Sequence, residues 1–218
     1  MKTAIVFALL VAGWNVSPCQ TVLQTLESDS VLEGYIADMK REISLERPLM
    51  NTQKIYRIWT GFQVVELELL NDSSVNGRVV NFIAKNDKKG IKKKLLSDSR
   101  TISQKTVSRL IEDLNTANIE EIKDATHIPG YPIGFDGTQY IFEVFTNNRY
   151  RLYAYWEPLN DHYAKPDVPD VANVRKILHR LHEELGLWES FITFRDSLPP
   201  GNYSYGGINM IKLKDKIN

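Results

Sequence analysis

The stretch Thr138–Trp156 constrains this chain more than any other. Gln139-Tyr140-Ile141-Phe142-Glu143-Val144-Phe145 and Tyr150-Arg151-Leu152-Tyr153-Ala154-Tyr155-Trp156 flank Asn147-Asn148, and asparagine tolerates the positive φ that a two-residue type I′ turn needs. Such a turn sets the register: Thr146 faces Arg149, Val144 faces Arg151, Phe142 faces Tyr153 and Tyr140 faces Tyr155. One face of the hairpin is then aromatic, with two arginines at its turn end. The other face carries Ile141, Glu143, Phe145, Leu152, Ala154 and Trp156. Both faces are largely apolar, so the hairpin needs cover on both sides, a helix on one and a loop or second element on the other.

Other segments supply that cover. Leu32, Ile36, Met39 and Ile43 form one helical stripe, with Asp29 or Ser30 as N-cap and Pro48 as the stop. From Lys54 to Leu70 the period changes to two, which predicts a long strand bent at Gly61. Asn71–Gly77 is turn chemistry with Asn-Gly as its strongest signal, leading to a strand over Arg78–Lys85 and a further one over Ile91–Leu96. Ser103 opens a helix carrying Val107, Leu110, Ile111 and Leu114; Asp170 caps another bearing Val171, Val174, Leu178, Leu181, Leu185 and Trp188. Ser190–Arg195 reads as a strand, followed by a Pro199-Pro200-Gly201 turn, a Tyr/Gly-rich piece and a basic tail. The order predicts an α+β fold, an antiparallel sheet built from two hairpins with helices packed on it.

The first 19 residues have the layout of a signal peptide: Met-Lys, an apolar run from Ala4 to Val11, then Asn15-Val16-Ser17-Pro18-Cys19. The run is far short of the ~20 residues that span a bilayer. Cleavage after Cys19 leaves a mature chain starting at Gln20; lipidation of Cys19 instead makes it a membrane anchor, although Pro18 is a poor fit to that signal. The expected organisation is a signal peptide over 1–19, a helical arm over 20–50 and a single α+β domain over 51–218. The expected address is secreted or periplasmic, with an outer-envelope lipoprotein as the alternative. Cys19 is the one cysteine, so the exported domain has no disulfide and must be held by its packing. With the leader removed the bases fall one short of the acids, and this near-neutral balance gives no reason to expect a nucleic-acid partner. No later segment predicts a transmembrane span.

Chemistry-bearing patterns are few. His179, His182 and Glu183 share a helical spacing but fall off the apolar stripe and out of zincin order, so no metal site is expected. No Gly-x-Ser-x-Gly elbow or phosphate loop occurs, and no cofactor is expected. Lys85, Lys88, Lys89, Lys92, Lys93 and Lys94 crowd one turn, a pattern that suits a solvated strand edge better than an anion site. Asn71-Asp72-Ser73 and Asn202-Tyr203-Ser204 are sequons, hence expected surface loops. Glu143, on a face that needs cover, has a raised pKa unless it meets an arginine. With Asp136 and Glu157 it forms the carboxylate set that a small hydrolase would use. The expected ligand surface is Tyr140, Tyr153 and Tyr155 with Arg149 and Arg151 as its polar end, a strip suited to stacking a sugar or gripping a peptide. Taken together, these features predict a non-enzymatic exported module that binds a protein or envelope component.

Overall fold

The computed structural model describes residues 24–26, 30–45, 51–134, 136–146, 149–165 and 167–214. The leader with Cys19, the mature start at Gln20 and the Asn147-Asn148 turn lie outside these residues. In chain order the elements are β1 (Gln24–Leu26), α1 (Ser30–Glu42), β2 (Thr52–Trp59), β3 (Gln63–Leu70), β4 (Val75–Asn86), β5 (Lys92–Thr101) and α2 (Gln104–Thr116), followed by β6 (Gln139–Thr146), β7 (Arg149–Trp156), α3 (Pro169–Leu185), α4 (Leu187–Ser197), β8 (Gly201–Tyr205) and β9 (Ile208–Lys212). All nine strands join one sheet in the order β1-β7-β6-β2-β3-β4-β8-β9, with β5 on the other edge of β4. Every pairing is antiparallel except β1 with β7, so the class is α+β.

The β6–β7 hairpin takes the register its sequence predicts, with Tyr140 opposite Tyr155, Phe142 opposite Tyr153 and Thr146 opposite Arg149. It is covered on both faces. Beneath one lie α2 and α3, whose Val107, Leu110, Leu114, Val174, Leu178 and Leu181 meet Tyr56, Val65, Phe142 and Tyr153 in the largest core. Across the other lies α1, whose Ile36, Met39 and Ile43 pack on Trp59, Val64, Val80 and Leu152. A smaller cluster joins Phe191 and Phe194 of α4 to Ile83 and Tyr203. Helices thus sandwich the sheet, and strands in its middle are buried on both sides.

Four local expectations change. The strand expected over Lys54–Leu70 is two strands, because Thr60 accepts hydrogen bonds from the amides of Phe62 and Gln63 and reverses the chain at Gly61. The reversal also shifts the phase, so Tyr56 and Ile58 share a face with Val65 and Leu67 rather than with Val64. Asn76-Gly77 is not a turn. The reversal occurs earlier, where Asp72 caps Ser74, and Gly77 lies inside β4 because a Cβ there would meet Val107 Cγ2 of α2 at 2.5 Å. Ser190–Arg195 is helical: Leu187, Phe191 and Phe194 are buried at helical spacing, and Gly186, left-handed at φ 52, ends α3 and starts α4 at once. Asp170 sits in the first turn of α3 after Val168 and Pro169 rather than at its cap, and accepts the Lys123 amide at 3.3 Å. The Tyr/Gly-rich piece and the start of the basic tail form the β8–β9 hairpin.

Candidate functional site

The aromatic strip expected to meet ligand is interior packing. Tyr153 is 1% exposed, and Tyr140 and Tyr155 are buried with it. Tyr153 stacks on Phe142 with centroids 5.0 Å apart and planes 4° from parallel. Its hydroxyl donates to the Ile119 carbonyl at 2.8 Å, and the Tyr155 hydroxyl to the Lys123 carbonyl at 2.6 Å. Burial pushes both phenols above their ordinary range. Arg151 donates to the carbonyls of Glu120 and Ile122, tying the loop after α2 to β7; Arg149 is exposed at the strand end. The strip is closed by α2 and α3 over its rings and by the loop over Ile119–Lys123, which takes its hydroxyls, a contact that strand alternation cannot foretell.

Of the three carboxylates, Asp136 and Glu157 flank Gly137 at one end of the hairpin, and Glu143 stands apart from them. Glu143 lies in the middle of the sheet under α1. Asp136 is exposed in the loop before β6, and Glu157, just past β7, accepts the Thr138 amide. Glu143 is about 13 Å along its strand from that end, four steps at ~3.3 Å each, and its neighbours are cations. It accepts from Lys40 at 2.7 Å, Arg57 at 3.1 Å and the Trp59 indole at 3.3 Å. Arg57 also donates to Glu66 at 2.6 Å, and Arg78 to Glu66 at 2.9 Å. Register places Glu143, Arg57, Glu66 and Arg78 side by side on β6, β2, β3 and β4, so alternating charges cross the sheet in one row. Burial pushes the Glu143 pKa up, but the charges of Arg57 and Lys40 and their hydrogen bonds outweigh it and hold the group below the usual carboxylate value. A carboxylate held ionised by two cations is a poor proton donor.

Other patterns also settle into structural roles. His179 and His182 are exposed on α3, and no group of three or more His, Cys, Asp or Glu among the described residues could hold a metal ion. Lys88, Lys89, Lys93 and Lys94 are exposed along the β4–β5 turn and outer edge, while Lys92 pairs with Glu42 of α1 at 2.6 Å. No helix among the described residues is long and apolar enough to cross a membrane.

What the fold leaves open is a cleft of about 620 Å³ beside α1. Tyr35 and Met39 of α1 form one wall, and Phe82, Leu95 and Ile141 contribute its sheet side. The far end is closed where two turns meet: Gly206 N donates to Gly61 O at 3.3 Å. A Cβ on Gly61 would meet Gly206 Cα at 2.8 Å, so this contact requires glycine. Phe62 and Tyr205, both lining the cleft, join Phe191 and the half-exposed Trp188 in an aromatic cluster, with Phe62 and Phe191 centroids 4.4 Å apart. Lys92 is the one charged side chain among the described residues of the lining; Gln139 and Asn209 are exposed amides there. A second cleft of about 610 Å³ lies by Leu32, Trp156 and His127 and shares Gln139 with the first. Concavity, aromatic rings and a few neutral polar groups are the ordinary makings of a ligand site.

Periodicity does contain one signal of this cleft. Tyr35 falls beside the stripe of Leu32, Ile36, Met39 and Ile43, and an aromatic ring off the apolar face of a helix is left in solvent, here 49% exposed. No family model matches the chain, and no curated protein matches it.

Proposed function

We propose that this chain is an exported, non-enzymatic binding module for a protein or envelope component, and that the cleft beside α1 is its contact surface. The observation that carries the reading is the contrast between an open, aromatic cleft and a Glu143 that is ion-paired in the middle of the sheet. Glu143, the buried member of the carboxylate set, is held ionised by Arg57 and Lys40 and stands apart from Asp136 and Glu157, so a hydrolase reading would rest on those two alone. The exported address rests on the leader, with lipidation at Cys19 as its alternative. Mass spectrometry of the mature N-terminus gives a chain starting at Gln20 if the leader is cut, and diacylglyceryl Cys19 if it is an anchor.

The binding reading is tested by immobilising the mature chain and titrating envelope extract over it. Wild type captures a component saturably, and Tyr35→Ala and Gln139→Trp, which strip and fill the cleft, each weaken capture by about tenfold or more. Equal capture by both variants, with folding intact by circular dichroism, removes the cleft from the account.

A further inference from the structure

Among the described residues three strands, β1, β5 and β9, have a partner on one side only, and two of these edges are finished in opposite ways. β5 carries Lys92, Lys93, Lys94, Asp98 and Arg100, all exposed, the charged finish that keeps a strand from pairing with another chain. The β8–β9 hairpin has no charged residue from Gly201 to Ile211. Its outer strand and the residue after it expose Ile208 at 52%, Ile211 at 71% and Leu213 at 77%. A regular edge with large apolar side chains in water is a surface that pairing satisfies twice, through backbone hydrogen bonds and through burial.

We propose that β9 is the pairing edge for a second copy of this chain, antiparallel about a two-fold axis normal to the sheet. Such an axis keeps each sheet face on its own side, so a residue must oppose itself. The axis through Ile211 sets Ile211 on its copy, Asn209 opposite the second copy's Leu213, Met210 opposite Lys212 and Ile208 opposite Lys214. Lysines never face one another in this register, and the two most exposed side chains are covered. An axis through Met210 leaves Leu213 opposite Gly207 and is the poorer fit. Asn209 lines the cleft, so the pairing places the second copy's Leu213 beside it; the dimer nevertheless stands on the edge strand alone and does not depend on the cleft being a binding site. Pairing through one short strand and its side chains buries roughly 1,000 Å² in total, the low end for a specific interface, which fits a dimer with a Kd on the order of 10 µM.

The test is sedimentation equilibrium of the mature chain from about 1 to 500 µM, a range that brackets that Kd. Weight-average mass doubles across the range, Ile211→Lys and Leu213→Lys each weaken the dimer by about thirtyfold or more, and Lys93→Ala on β5 leaves it unchanged. In the chain starting at Gln20, which holds no other cysteine, Ile211→Cys closes an intermolecular disulfide under mild oxidation, because directly opposed strand residues sit ~4.5–5.5 Å apart at Cα, within disulfide reach; Lys93→Cys does not. A wild-type chain that stays monomeric overturns the proposal. So does a dimer that survives both lysine variants and gives no Ile211→Cys cross-link.

Discussion

Arg57→Met lowers unfolding stability by about 3–5 kcal/mol, the cost of breaking a buried ion pair by removing one partner. Arg57 is 6% exposed and stands between Glu66 and Glu143, both 2% exposed, so its loss leaves two carboxylates facing each other across an apolar strand. Methionine fits the volume without restoring the charge. The network also gives stability a pH dependence whose sign is set by Glu143. Its folded pKa lies below the ordinary 4.5, so its contribution is full above that value and is lost as pH falls through the lower, folded pKa. Urea titrations of wild type and Arg57→Met at pH 7 and pH 3 check both points: the gap between them is wide at pH 7 and narrows in acid. Equal stability at pH 7 contradicts the structural role given to the row.

The second large effect is in the aromatic strip. Tyr153→Ala costs about 3–5 kcal/mol, as large-to-small changes of buried aromatic residues do. Tyr153→Phe keeps the stack on Phe142 but leaves the Ile119 carbonyl without its donor, a loss of roughly 1–3 kcal/mol. Both appear as a lower urea midpoint with an unchanged slope, and neither variant alters capture at the cleft once it is folded. A ligand-contacting strip gives the reverse pattern, intact stability and lost binding.

The sequence made the β6–β7 hairpin legible to the residue, because strand alternation and a two-residue turn are local facts. It also made clear that the hairpin needs cover on both faces, and α1 and α2 with their apolar stripes supply much of it. α2 and α3 cover the tyrosine rings, but their hydroxyls end on the loop Ile119–Lys123, which offers the sequence no strand or hairpin pattern, only carbonyls. That is why an aromatic strip read as a ligand surface is core. Glu143 stood out as an acid on an apolar face, yet its partners Arg57 and Lys40 come from other elements, far away in the chain. The closed end of the cleft is hidden for the same reason: Gly61 reads as a bend and Gly206 falls in a Tyr/Gly-rich piece, and their contact is a product of the sheet order. Ser190–Arg195 reads as a strand because six residues fit a period of two, whereas Leu187, Phe191 and Phe194 follow the helical one.

The aromatic face of the β6–β7 hairpin is sealed, while aromatic surface is open at the α1 side of the sheet. Hydroxyl-radical footprinting of the folded mature chain, read residue by residue by mass spectrometry, tests it most directly. Tyr35, about half exposed on α1, oxidises readily, and Tyr140, Tyr153 and Tyr155 stay protected until the chain unfolds. Oxidation of Tyr153 and Tyr155 at the rate of Tyr35 in the native protein contradicts the account and returns the ligand surface to the hairpin.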